Sequence, residues 1–81
     1  MSRKIKLIWD FRGQEAGETA KHHAQHLKDY ILAEALGPDN TGYTHFSSMH
    51  SIAYMVVDES HMLQVRDALV PHRGELYDGQ N

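Results

Sequence analysis

The chain has 81 residues, 41% of them hydrophobic and 23% charged, which is an ordinary composition for one soluble globular domain. It has no cysteine, which excludes disulfides, thiolate catalysis and cysteine-based zinc or iron–sulfur sites. The net charge of −3, with scattered Lys and Arg residues, argues against nucleic acid as a partner. Because neither a signal peptide nor an apolar run of roughly 20 residues is recognisable, we expect a cytoplasmic protein without membrane contact.

The first element in the sequence is predicted to be a buried central β-strand over Lys4–Arg12. Apolar residues alternate with a second, mostly polar face along its whole length, which is the pattern of a strand rather than of a helix. The only Trp of the chain lies on the apolar side, where its large ring can anchor a core. The residues on this side are Ile5, Leu7, Trp9 and Phe11.

A long helix is predicted next, ending at Leu36. Gly17 weakens its start, so that the first residue is uncertain by one turn. We expect Gly37 to adopt the left-handed cap conformation, because Pro38 cannot continue a helix. Residues 37–42 then form a turn. The helix would bury a stripe made of Ala16, Ala20, Ala24, Leu27, Ile31 and Ala35.

The second half of the chain contains two short strands, a helix and a last strand. The strands are predicted over residues 43–47 and 52–57, and the last one over residues 73–78. Asp58 is a suitable N-cap for the second helix, which Pro71 ends. The buried side of this helix is predicted to consist of Met62, Val65 and Leu69, with Leu63 and Val70 beside them.

The resulting order, β-α-β-β-α-β over residues 1–81, resembles the ferredoxin-like plait, a single α+β domain. This resemblance implies a four-stranded antiparallel sheet with both helices on one face and the first and third strands at its centre. These two strands are the most apolar ones in the sequence, as central strands should be. Because many unrelated proteins share this fold, it does not by itself indicate a function.

The sheet face without helices leads to the first functional hypothesis. Ile8 and one side of residues 52–57 should form an apolar strip there, and a strip of this kind marks a partner or ligand site. A chain this short also buries only about 60–65% of its unfolded surface, so a second copy would enlarge a thin core. We therefore expect a homodimer that pairs through the open sheet face. Its function would be that of a small binding or regulatory domain for a small, anionic ligand.

Two arginines suggest a second place for that ligand. Arg12 ends the first strand and Arg73 begins the last one, so the two guanidinium groups would meet at one rim and grip a carboxylate or phosphate. The alternative is that Asp10, Asp78 or Glu75 pairs with these arginines on the surface, and surface pairing is the commoner situation.

The region around the central hairpin suggests an enzyme instead. His45 or His50 could act as a general acid or base, because an unperturbed histidine titrates near neutral pH. If Tyr43 and His45 point to the open face, they line a cavity together with Tyr54. The alternative function is therefore a cofactor-independent enzyme. The competing structural interpretation is that these polar tips simply face water.

Histidine is unusually abundant, with seven residues, and a third hypothesis is a metal-binding protein. Protonation of all seven would change the net charge from −3 to +4 near pH 6.5. His22 and His26 lie four residues apart on the first helix, so they could hold two positions of a zinc, nickel or copper ion. The nearby sequence supplies no third ligand, and solvated helix residues are the simpler interpretation. Apart from this ion, no cofactor is predicted.

Overall fold

The computed structural model describes residues 3–37 and 40–77. The regular elements are β1 (Lys4–Arg12), α1 (Ala16–Glu34), β2 (Thr41–Ser47), β3 (His50–Asp58), α2 (Met62–Leu69) and β4 (Arg73–Tyr77). The strands form one antiparallel sheet in the order β2-β3-β1-β4. The predicted ferredoxin-like plait is therefore confirmed, with β1 and β3 at the centre. Residues 38, 39 and 78, which the sequence analysis assigned to a turn and to the last strand, lie outside the described residues.

The core lies between the sheet and the two helices. Side chains at the odd positions of β1 point to the helices, and the register pairs Leu7 with Met55 and Trp9 with Ala53 on this same face. The indole Nε1–H of Trp9 donates a 2.9 Å hydrogen bond to the carbonyl oxygen of Leu69, which ties the end of α2 to the central strand. The predicted buried residues of α1 that join this core or its edge are Ala16, Ala20, Ala24, Leu27 and Ile31.

The end of α1 differs from the prediction. The helix stops at Glu34, and Ala35 rather than Gly37 caps it in the left-handed conformation, with its N–H bonded to the Ile31 carbonyl. The amide of Leu36 donates to the same carbonyl at 3.1 Å, so the chain leaves the helix two residues earlier than predicted. This reversal buries Leu36 and exposes Ala35, so the expectation that Ala35 continues the buried stripe was wrong.

The second helix is short and turns only one stripe to the core. Val65 is buried, and Met62 and Leu69 are half-buried against the core, as predicted. Leu63 and Val70 are exposed, which contradicts their assignment to the buried side. Eight residues make little more than two turns, so only positions three or four apart can face the sheet.

The predicted N-cap at Asp58 is confirmed, although it caps a 3-10 turn (Glu59–His61) that leads into α2. The Asp58 carboxylate accepts the Ser60 N–H at 2.9 Å. The cap thus fixes the point where the chain leaves β3 and enters the second helix.

The opposite sheet face is not covered by any helix among the described residues. Ile8, Ile52 and Val56 lie on it, as predicted, but each is 6% exposed or less. Polar and aromatic neighbours on the same face shield them: Tyr54 pairs with Ile8 in the register, and the Lys6 ammonium lies 4.6 Å from the Tyr54 ring centroid. The predicted apolar strip therefore exists, but within one chain it is largely closed to water.

One histidine of α1 belongs to the core and gives the fold a dependence on pH. His23 packs against Trp9 and Phe11, with ring centroids 5.1 and 5.5 Å apart. Its Nε2 atom is buried and makes no hydrogen bond within the described residues. Burial, followed by the nearby charges of His26 and His72, lowers the pKa of His23 below its ordinary value of 6.5.

We therefore expect acid to destabilise the fold through His23. Below pH 6.5 the unfolded chain takes up a proton that the folded chain resists, so the free energy of unfolding should fall until the pH passes the lowered pKa of the folded state. Urea unfolding between pH 8 and pH 5 measures this slope. His23→Phe should flatten it, and His22→Gln, which changes an exposed neighbour, should not. An unchanged slope in His23→Phe would contradict the assignment.

Candidate functional site

A polar cleft lies between the first turns of α1 and the hairpin that joins β2 to β3. We call it the α1–hairpin cleft. Its volume is about 380 Å³, which lies within the range of pockets that hold small molecules. The polar side chains that line it are Gln14, Glu18, Lys21, Tyr43, His45, Ser47, Ser48 and Ser51.

A hydrogen bond between a histidine and a serine lies within this lining. The register pairs His45 with Ser51, so both side chains point to the helix side of the sheet, and Nδ1 of His45 lies 2.9 Å from the Ser51 hydroxyl oxygen. Ser51 is only 1% exposed. The Tyr43 ring meets the His45 ring edge-on, with centroids 5.6 Å apart. The imidazole is thereby held between a buried hydroxyl and an aromatic ring.

Gly17 allows α1 to pass close over this imidazole. A Cβ atom placed on Gly17 would lie 2.5 Å from Cε1 of His45, closer than real Cβ atoms approach other atoms. Any other residue at this position would have to displace the ring. The glycine that weakened the predicted helix start is therefore the point where helix and hairpin come closest.

The charges at the cleft are of both signs. Glu18 and Lys21 lie three residues apart on α1, and neither forms an ion pair with another described residue. The helix begins at Ala16, so its positive end also borders the cleft. Such a lining suits a small molecule that carries both a positive and a negative group.

The predicted cavity of Tyr43, His45 and Tyr54 is not formed. Tyr54 pairs with Gly42 in the register, and Gly42 is the neighbour of Tyr43 on β2. Successive residues of a strand point to opposite faces, so Tyr43 and His45 face α1 whereas Tyr54 lies on the open face. A Cβ atom on Gly42 would lie 2.6 Å from the Tyr54 hydroxyl, which shows how closely that side chain crosses β2.

A second polar group, which we call the Asp10 cluster, comprises Asp10, His50, His72 and Arg73. Oδ1 of Asp10 lies 2.9 Å from Nε2 of His50. Arg73 donates to both carboxylate oxygens, through Nε at 3.0 Å and Nη2 at 3.2 Å. The backbone N–H of Asp10 donates to Nδ1 of His72 at 2.7 Å. The hydrogen bonds from Arg73 and then from His50 outweigh burial and lower the pKa of Asp10 to about 2.

The predicted clamp of two arginines is not formed either. Arg73 is engaged by Asp10, so the alternative interpretation of a surface ion pair is the one that the structure supports. Arg12 pairs with His50 in the register, whereas Arg73 pairs with Ile8, four residues away along β1. Arg12 is exposed and has no ion-pair partner among the described residues.

The histidines proposed as metal ligands stand apart from further ligands. His22 and His26 are exposed on α1. Over residues 3–37 and 40–77, no three His, Asp or Glu side chains are grouped closely enough to hold a metal ion. The metal hypothesis therefore gains no support from the geometry.

Another cleft, of about 400 Å³, lies between α2 and β4. Ile5, Leu7, Met62 and Leu76 give it a largely apolar lining, with Arg66 among the polar residues. Among the described residues, its lining contains no histidine and no hydroxyl group, and Arg66 and Arg73 in it pair with Asp67 and Asp10, so the polar α1–hairpin cleft is the stronger candidate site.

Sequence reasoning missed part of the candidate site. Ser51 entered no candidate site, and Gly17 and Lys21 were assigned to the helix alone. Their proximity depends on how α1 crosses β2, which residue spacing does not show. A glycine inside a helical pattern was the available signal, because such a residue marks a close approach.

Comparison of the chain with family models, curated proteins and solved structures found no match. Among the described residues, no helix is long and apolar enough to cross a membrane.

The Asp10 cluster should contribute to stability, because it joins β4 to the central strand. We expect Asp10→Ala to lower the free energy of unfolding by about 1–3 kcal/mol, the range for hydrogen bonds to charged groups. Chemical denaturation measures this loss. Asp67→Ala is the matched control, because the exposed Arg66–Asp67 pair at 3.4 Å should contribute less than about 0.5 kcal/mol. Equal losses in the two variants would contradict a special role for Asp10.

Proposed function

We propose that this protein is a binding domain that takes up a small dipolar molecule, of the size of an amino acid, in the α1–hairpin cleft. The observation that carries this proposal is the hydrogen-bonded His45–Ser51 pair in a cleft of about 380 Å³ that Gly17 keeps open. The class of protein is the binding or regulatory domain expected from the sequence. The proposed site lies on the helix side of the sheet instead of the open face.

The cleft offers a separate contact for each charged group of such a ligand. The Lys21 ammonium and the positive end of α1 suit the carboxylate of the ligand, and the Glu18 carboxylate suits its ammonium group. His45 is fixed by Ser51 through Nδ1, and its Nε2 has no hydrogen-bond partner among the described residues. Nε2 is therefore available to the ligand.

We assign His45 a binding role rather than a catalytic one. Its partner is a neutral hydroxyl, and among the described residues no carboxylate bonds to its ring. A general base of the histidine type is normally oriented by a third group that stabilises the charged imidazole, and such a group is what His45 lacks.

Binding can be tested with the twenty common amino acids, each added singly at millimolar concentration to ¹⁵N-labelled protein. We expect at least one of them to shift the amide signals of Gly17, Glu18 and Ser51 in a saturable way. His45→Ala and Lys21→Ala should each weaken this binding about tenfold or more, the value of one lost charge-assisted contact. Lys28→Ala, on α1 but outside the cleft, is the control. If none of the twenty causes saturable shifts, the proposal is wrong.

Gly17→Ala provides a sharper test, because it should separate binding from stability. The new Cβ would push the flexible His45 ring into the cleft, so we expect loss of the amino-acid binding seen in the wild type. The fold should be retained, because alanine favours a helix by about 1 kcal/mol over glycine. Titration and thermal unfolding of the same sample measure both effects. Thr19→Ala, an exposed position of α1, should change neither, and full binding by Gly17→Ala would contradict the proposed site.

We also propose that two chains pair through their open sheet faces. Two observations support this pairing. The face carries no helix among the described residues, and Phe46 and Tyr77 are exposed at its margins. A standard interface buries roughly 800 Å² per partner. Since Ile8 and its apolar neighbours are already shielded, the exposed rings would supply much of the newly buried surface.

This pairing predicts a mass of twice the 9.3 kDa chain in light scattering coupled to gel filtration. Phe46→Lys should produce a monomer, because it places a charge where an apolar ring would be buried. Leu32→Lys, which changes an equally exposed apolar residue on α1, should remain dimeric. A monomeric wild type at micromolar concentration would overturn the pairing.

A further inference from the structure

The Asp10 cluster fixes the protonation pattern of His50. Asp10 has a pKa of about 2, so at neutral pH its carboxylate can only accept hydrogen bonds. The contact of 2.9 Å between Oδ1 of Asp10 and Nε2 of His50 therefore requires a proton on Nε2. In the neutral imidazole, Nδ1 then carries the lone pair, and no described residue forms a hydrogen bond with it.

The His50 ring is also held in place and remains accessible in the unpaired chain, so the sheet-to-sheet pairing proposed above would block this site. The Phe46 ring packs against it edge-on, with centroids 5.1 Å apart. About 20% of the His50 side chain is exposed. A histidine that is oriented by a carboxylate on one nitrogen and free on the other has the arrangement of a general base.

A cation without a partner lies beside this base. Arg12 is opposite His50 in the β1–β3 register, and both residues lie on the open face. Side chains at opposite positions of neighbouring antiparallel strands are close together. A guanidinium group binds a carboxylate in a planar, bidentate manner, so Arg12 can hold an anionic molecule next to Nδ1 of His50.

We propose that His50 is the general base of a second site, on the open sheet face, which removes a proton from the carbon next to a carbonyl in small keto carboxylates. No described hydroxyl bonds to His50, so the proton comes from the bound molecule and not from a protein nucleophile. This site is separate from the α1–hairpin cleft, which lies on the other side of the sheet.

The proposed step needs no further reagent. The C–H bond of the substrate breaks, an N–H bond forms at Nδ1, and the electron pair of the C–H bond moves onto the carbonyl oxygen as an enolate. Return of a proton from Nδ1 to the carbon restores the starting charges. Nothing is oxidised or reduced, and return of the proton to the same carbon makes the net result proton exchange.

The other members of the cluster act through His50. Asp10 is a positioning residue, which stabilises the imidazolium that forms during the transfer. Arg73 keeps Asp10 ionised, and thereby keeps it an acceptor for the Nε2 proton. His72 binds the backbone N–H of Asp10, which leaves the carboxylate for His50 and Arg73.

Pyruvate is the probe for this site, because it combines a carboxylate with acidic C–H bonds next to a carbonyl. Exchange of its methyl protons in D₂O, followed by ¹H NMR, should be faster than in buffer with wild-type protein that is diluted until light scattering shows a monomer. His50→Gln should return the exchange to the buffer rate, and His22→Gln, an exposed histidine outside the cluster, should exchange as fast as the wild type. Arg12→Gln should raise KM tenfold or more with a smaller change in kcat. If wild type and His50→Gln exchange pyruvate at the same rate, the proposal is wrong.

The role of Asp10 needs a readout that a purely structural role would not affect. The ¹⁵N shifts of the His50 ring should show a proton on Nε2 in the wild type and a mixture of both tautomers in Asp10→Asn, whose amide can also donate. Asp10→Asn should slow pyruvate exchange about 10- to 100-fold, and Asp10→Glu should recover part of the rate. A pure Nε2 tautomer with full activity in Asp10→Asn would overturn this role. Gly17→Ala, which closes only the cleft, should leave pyruvate exchange unchanged, so the two proposals can fail separately.

Discussion

The pleat of β3 is the constraint on which both candidate sites depend. His50 and Ser51 are adjacent in the chain, so their side chains must point to opposite faces of the sheet. The register with β1 places His50 next to Asp10 on the open face, and the register with β2 places Ser51 next to His45 under α1. A shift of the β1–β3 pairing by one residue would break the Asp10–His50 pair, and a shift of the β2–β3 pairing would break the His45–Ser51 pair.

This constraint gives the two faces different chemistry. On the helix side, a neutral hydroxyl fixes a histidine in a cleft between α1 and the hairpin, which is an arrangement for holding a molecule. On the open side, an ionised carboxylate fixes a histidine whose second nitrogen is free, which is an arrangement for moving a proton. The apolar side chains of the open face are already shielded by their polar neighbours. A partner chain would therefore cover polar side chains as well as hydrophobic surface.

The architecture could be predicted because the spacing of hydrophobic residues indicates which segments are strands and which are helices. The apolar side of β1 packs on the core and the stripe of α1 from Ala16 to Ile31 is buried, both as expected. The end of α1 could not be predicted in the same way, since a left-handed cap at Ala35 competes with the glycine that usually takes it. The orientation of Tyr43 was out of reach as well. The sequence between β2 and β3 does not specify a turn type. A bulge after His45 also shifts the pairing of β2 with β3.

The account can be tested most directly by measuring which atoms surround the two hairpin histidines in solution. Nuclear Overhauser contacts should connect the His45 Hε1 proton with the Gly17 Hα protons, and the His50 ring with the Phe46 ring. No contact should connect His45 with Tyr54, because they lie on opposite faces. A strong His45–Tyr54 contact, without one between His45 and Gly17, would show that β2 pairs one residue out of register and would contradict the proposed α1–hairpin cleft. Absence of the contact between the His50 and Phe46 rings would contradict the geometry proposed for His50.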